Sequence, residues 1–347
     1  MSRSNQRSVR RRALLTAELY RQARAHLPAE GPIIAPARHE DQEVLEAELL
    51  SRLLDLSKSW PGGHPSLPLG IARCTPLPGS IDVRVESRQQ AIHLLQRLLP
   101  HQEIGGDGSP DIAGIAGLRV GGIRGDALVL SALDREACVT LSGLPGREWQ
   151  RLTDLVDRAH RDKAGGRTPL WRLPVGSHPA EPGSAMDSRR GRRSAWLGSW
   201  LLRRPGLFQN LTAPHLLEGY GRPGVWTLEL CHLPSSPLRA EPLVRLLRHP
   251  EVGIPYKLRV RHCSRVMNDG SQQRSTGRGE GWARGDDRSG QVIIDIGDPG
   301  ETVLDLRFHR DPATFLRPAV RNAAVERIDR ADLRYGRLAD PLAAEVP

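Results

Sequence analysis

The residues from Ile81 to His160 constrain the fold more than any other stretch of this chain. Their apolar spacing switches between the period of a strand and that of a helix, with a punctuating residue at each change. Ile81, Val83 and Val85 alternate with Asp82, Arg84 and Glu86, as in a strand with one buried face. Ser87 and Gln90 stand at capping-box spacing, and Ala91, Ile92, Leu95, Leu98 and Leu99 form one helical stripe that Pro100 ends. Short strands are predicted at about 118–120, 127–130 and 137–141, parted by glycines and by Asp134, Arg135 and Glu136. A second helix opens at Pro145 and places Trp149, Leu152, Val156 and Ala159 on one stripe. The pattern is that of a small α+β module with its own core.

On either side the signals are sparser. A basic stretch, 1–12, carries Arg3, Arg7, Arg10, Arg11 and Arg12 without an acid and reads as a flexible arm leading into a helix over 13–26. After a proline-rich spacer, a helix is predicted over 40–58. Glu40, Asp41 and Glu43 stand at its positive end and Leu45, Leu49, Leu53 and Leu56 on one face. A strand follows at 69–74. From 162 to 194 the composition shifts to Gly, Pro, Ser and charge, the mark of a linker. Beyond it, strands are predicted at 226–233, 257–267, 291–296 and 302–308, with short helices around 196–201 and 243–248 and a closing helix over 318–335.

The expected fold class is therefore α+β, with two small domains of helices and mainly antiparallel sheet joined by a Gly/Pro/Arg-rich linker. The boundaries are a disordered basic arm at 1–12, an N-terminal domain at 13–162, a linker at 163–193, a strand-rich C-terminal domain at 194–335 and a tail at 336–347. No internal repeat is visible in the residues.

Charge frames the functional reading. The 347 residues carry a formal net charge of +10 and a pI near 10.2, and Lys58, Lys163 and Lys257 are the only lysines. Two causes compete for this arginine excess. The codon bias of a GC-rich bacterial genome produces it with no selected activity, and selection for bidentate phosphate contact produces it with one. Clustering favours the second. Residues 3–12, with Arg10, Arg11 and Arg12, form one group; residues 189–204 form another, in which Arg189, Arg190, Arg192 and Arg193 run into Trp196, Trp200, Arg203 and Arg204 without an acid; and residues 257–265 form a third. Four scattered cysteines, no secretory leader and no long apolar run point to a cytoplasmic protein with reduced thiols and no membrane span.

Two constellations have the residue types for chemistry. The doublets Cys231-His232 and His262-Cys263 carry zinc-type donors, but on strands adjacent residues face opposite ways, so four ligands do not converge and no metal site is expected. Around Gly297-Asp298-Pro299-Gly300 a hairpin is predicted to gather Asp295, Asp305 and Arg307 on one face. Paired carboxylates there would suit a magnesium-dependent nuclease or phosphodiesterase. In Asp305-Leu306-Arg307, faintly similar to the acid-x-Lys element of restriction-type nucleases, an arginine stands where that element has the lysine that activates water. Nucleophile motifs are absent, and the Gly-rich loop 270–290 matches neither a phosphate loop nor a dinucleotide fingerprint, so no cofactor is implied. The leading expectation is a non-enzymatic protein that holds DNA or RNA by its phosphate backbone. The metal-dependent nuclease and the purely codon-driven chain are the alternatives.

Overall fold

A computed structural model describes residues 3–58, 68–104, 110–133, 136–162, 167–173, 194–209, 215–222, 224–231, 244, 246–263, 288–297 and 301–309. The predicted helix over 318–335, most of the linker and most of the loop 270–290 lie outside these residues.

The N-terminal arm is a correction: residues 3–12 belong to helix α1, Arg3–Thr16. The single helix expected over 13–26 is broken by Ala17, whose positive φ of 57° turns Glu18 back toward α1. A short α2, Tyr20–Ala25, follows. Helix α3, Glu40–Lys58, has the predicted bounds and begins with three acids at its positive end. Strands β1 (Ile71–Leu77) and β2 (Ser80–Val85) form a hairpin, and Ser87 caps α4, Arg88–Leu98, by accepting from the Gln90 amide. The Gln90 side chain reaches back to the Glu86 N–H at 3.2 Å, one residue before the capping-box position. Beyond α4 come β3 (His101–Ile104), β4 (Pro110–Ala113), β5 (Leu118–Arg124), β6 (Ala127–Ala132), β7 (Cys138–Ser142), α5 (Gly146–Arg161) and β8 (Thr168–Pro169). The C-terminal part holds α6 (Ala195–Leu202), α7 (Gly206–Gln209), β9 (His215–Arg222), β10 (Val225–Cys231), β11 (Leu258–Cys263), β12 (Arg288–Ile296) and β13 (Thr302–His309). The fold is α+β, with mostly antiparallel sheets.

The two five-stranded sheets have the same topology. The first has the order β1-β2-β7-β6-β5 and the second β9-β10-β13-β12-β11. Each is a hairpin, a crossover and a three-stranded meander whose last strand returns parallel to the second strand of the hairpin. Their registers superpose as well, with Ile81 opposite Val139 in the first sheet and Trp226 opposite Leu304 in the second. Even the irregularities match. An extra residue, Ala72 or Leu217, bulges from the first strand of each hairpin. Another, Gly121 or Arg261, bulges from the first strand of each meander, just after an identical tripeptide, Leu118-Arg119-Val120 and Leu258-Arg259-Val260. A bulge is a local, position-specific feature, so two coincidences in register mark a structural repeat where the residues alone suggested none.

The halves meet through their leading helices. α3 packs along α6 and also touches β7 of the first sheet and β9 of the second. Gly198 lets α6 come close: a Cβ there would stand 2.4 Å from the Trp226 ring and 2.7 Å from Ala47 on α3. Trp226 donates its indole N–H to the Ser194 carbonyl at 2.9 Å. One contiguous cluster of buried apolar side chains runs through both sheets and the helices between them, including Leu50, Leu54, Ile81, Leu141, Leu197, Trp226, Ile294 and Leu306.

Candidate nucleic-acid interface

Several arginines of the sequence clusters point inward, and this corrects their expected role. Arg12 is fully buried on α1, with Nε on Glu18 at 2.8 Å and Nη1 on the Ile33 carbonyl at 2.9 Å. Glu18 also accepts from Thr16 and bonds His26 Nδ1 at 2.8 Å. Arg203, just past α6, is 1 % exposed and grips Glu46 of α3 through Nε at 2.7 Å and Nη2 at 2.6 Å. Its remaining nitrogen donates to the Ala35 and Leu77 carbonyls, while Ser199 and Gln42 donate to the same carboxylate. Gln42 in turn pairs both ways with the Cys138 backbone. Arg204 lies over the Trp200 ring at 4.2 Å and donates to the Trp200 and Val252 carbonyls. Burial, with Arg203 alongside, pushes Arg204 down to about 9, which leaves it protonated at neutral pH. These guanidiniums are occupied by the chain itself. They anchor α1, α3 and α6 and are not on a phosphate-facing surface.

A second set points outward. On α1, Arg7 and Arg10 are exposed, whereas Arg11 is buried and forms an ion pair with Glu251. That pair seats the turn after Leu247 against α1. The turn is closed by bonds from Gly253 to the His249 carbonyl and from Ile254 to the Leu247 carbonyl. Arg248, Tyr256, Lys257 and Arg259, around and just beyond this turn, are exposed. Tyr256 keeps 51 % of its surface open while its ring meets Trp196 of α6, with centroids 4.6 Å apart and planes at 58°. Among the described acids of this neighbourhood, Glu251 is matched by Arg11, the buried Glu18 by Arg12, and Asp295, which stands opposite Arg259 in the β11–β12 register, by Arg261. Arg189, Arg190, Arg192 and Arg193 lie outside the described residues.

The two carboxylates of the predicted hairpin do share a face, but each has its own partner. In the β12–β13 register Asp295 stands opposite Val303 and Asp305 opposite Ile293, so the acids are diagonal neighbours. Arg261 bonds Asp295, with Nε at 3.0 Å, and holds its carboxyl below the usual range. Asp305 accepts from Arg307 Nε at 2.9 Å and from Gln291 at 2.8 Å. Among the described residues no group of three or more His, Cys, Asp or Glu side chains is placed to hold a metal ion. Cys231 ends β10, and His262 and Cys263 end β11; β13 and β12 separate these strands, about 14 Å apart at ordinary strand spacing, and His232 lies outside the described residues.

Reading residues alone did not single out Tyr256, which has no periodic neighbours, or the buried ring cluster of His101, His160 and Trp171. In that cluster the His101 and His160 centroids are 4.0 Å apart, and it ties α5 to the small sheet β4-β3-β8. No family model matches this chain, and neither the curated proteins nor the solved structures contain a match. Among the described residues no helix is long and apolar enough to cross a membrane.

Proposed function

We propose that this protein binds DNA or RNA through the phosphate backbone, without reading sequence and without catalysing a reaction. One observation carries the reading. The exposed Arg10 of α1 and the exposed Arg248, Lys257 and Arg259 belong to segments joined by the Arg11–Glu251 pair, and Glu251 and Glu18 are matched by arginines that are themselves buried. Guanidinium groups held on a folded surface are suited to phosphate. Arg189, Arg190, Arg192 and Arg193 join the reading by composition alone. The duplicated sheets act as the frame, in the manner of two small domains sharing one core.

The test is the salt dependence of binding. Each phosphate contact contributes roughly −0.9 to the slope of log K against log salt on duplex DNA. Replacing Arg7, Arg10, Arg248 and Arg259 together with Gln is expected to flatten that slope by about 3 to 4 if all four touch phosphate. Absence of binding at low salt overturns the proposal.

A further inference from the structure

Building on the phosphate-binding reading, we infer that Trp196 and Tyr256 form a stacking platform for unpaired bases, so that the preferred ligand is a single-stranded nucleic acid. Of the two tryptophans spaced four apart on α6, Trp200 turns inward and is covered by Arg204, whereas Trp196 is only partly buried. Trp196 packs against the ring of Tyr256, a residue that leaves about half its surface to solvent. The planes are tilted at 58°, so neither ring fully covers the other. Lys257 and Arg259 follow Tyr256 directly and are exposed, and Arg248 is exposed on the preceding turn. Aromatic faces interleaved with cations accept any base by its π surface while the cations follow the backbone. That combination serves single strands, because the bases of a duplex are already stacked on one another.

The experiment uses the full chain and three probes: an oligothymidylate of about 20 nucleotides, a duplex of the same length, and vesicles containing phosphatidylserine. Oligothymidylate is expected to bind more tightly than the duplex and to quench tryptophan emission. Tyr256→Ala is expected to weaken the single strand about tenfold, leaving the duplex affinity and the salt slope unchanged. Tyr256→Leu keeps an apolar contact on Trp196 and is expected to lose the same affinity, which separates stacking from damage to the fold. Trp196→Phe is expected to remove most of the quenching while retaining most of the affinity. Equal losses for single strand and duplex, no loss in either tyrosine variant, or binding to vesicles in preference to oligonucleotides overturns the inference. If duplex binds with the expected salt slope and the tyrosine variants change nothing, only the platform fails. If neither nucleic acid binds at low salt, the phosphate-binding reading fails with it.

Discussion

The two halves of this molecule share strand order, register and both bulges, yet they use the same positions differently. The inward-facing residues stay apolar: Ile81, Val83, Leu128, Leu130, Val139 and Leu141 in the first sheet correspond by register to Trp226, Leu228, Val292, Ile294, Leu304 and Leu306 in the second. The outer faces diverge. Ser131 and Thr140 of the first half correspond to Asp295 and Asp305 of the second, and the bulged Gly121 corresponds to Arg261, which the bulge carries to Asp295. At the shared helix pair the charges are divided. α3 supplies Glu46, and the residue following α6 supplies Arg203. The apolar core holds the repeat to one pattern, and the opposite face, where Asp295 and Asp305 are covered by their own partners, differs between the halves.

Breaking the divided ion pair has the largest expected effect. Arg203→Ala leaves the fully buried Glu46 without its bidentate partner and is expected to destabilise the fold by about 3–5 kcal/mol, measured by urea denaturation. If the halves lean on each other through this site, both sheets unfold in the same transition. Gly198→Ala tests the close approach of α6 to Trp226 and Ala47. Overpacking there is expected to cost about 1–3 kcal/mol, seen as a lower Tm.

The acids of α3 sharpen the contrast through pH. Burial first, then Glu46 and Glu40, raise the Glu43 carboxyl to about 7 from 4.5. Between those values the folded chain keeps a proton that the unfolded chain releases, so this group makes stability fall as pH rises from 4.5 to 7. Glu43→Gln is expected to remove that slope and to leave the variant more stable above pH 7 by on the order of 1 kcal/mol after solvent screening, read from denaturation midpoints across the window. The smallest effect is expected from copying the first half onto the second. Asp295→Ser with Asp305→Thr removes two carboxylates that are themselves buried, and is expected to cost about 1 kcal/mol or less, because Arg261 and Arg307 are left partly open to solvent and not buried without a partner. A larger loss would mean that the bonds of these carboxylates to Arg261, Gln291 and Arg307 brace the sheet.

Much of the fold was legible where local chemistry and burial agree. The α3 bounds, the Ser87 cap and the strands from β5 to β7 follow from periodicity and punctuation that tertiary contacts reinforce. β3, β4 and β8 were missed because they are short and polar, and their pairing comes from partners far along the chain. The repeat was hidden because backbone register, and not residue identity, carries it, with Leu-Arg-Val the shared trace in the meanders. The arginines were the hardest to place. Composition cannot separate Arg203, which closes a carboxylate within the core, from Arg10, which faces solvent, because the partner of the first lies more than 150 residues away, at Glu46.

The division of arginines into an inward, structural set and an outward, phosphate-facing set is the central claim. It is tested most directly by measuring the salt slope of duplex DNA binding for the parent chain and for the variant with Arg7, Arg10, Arg248 and Arg259 replaced by Gln, with the Tm recorded for both. The account predicts a slope flattened by about 3 to 4 with a Tm nearly unchanged, because these side chains are exposed. An unchanged slope, or a large fall in Tm, would contradict it.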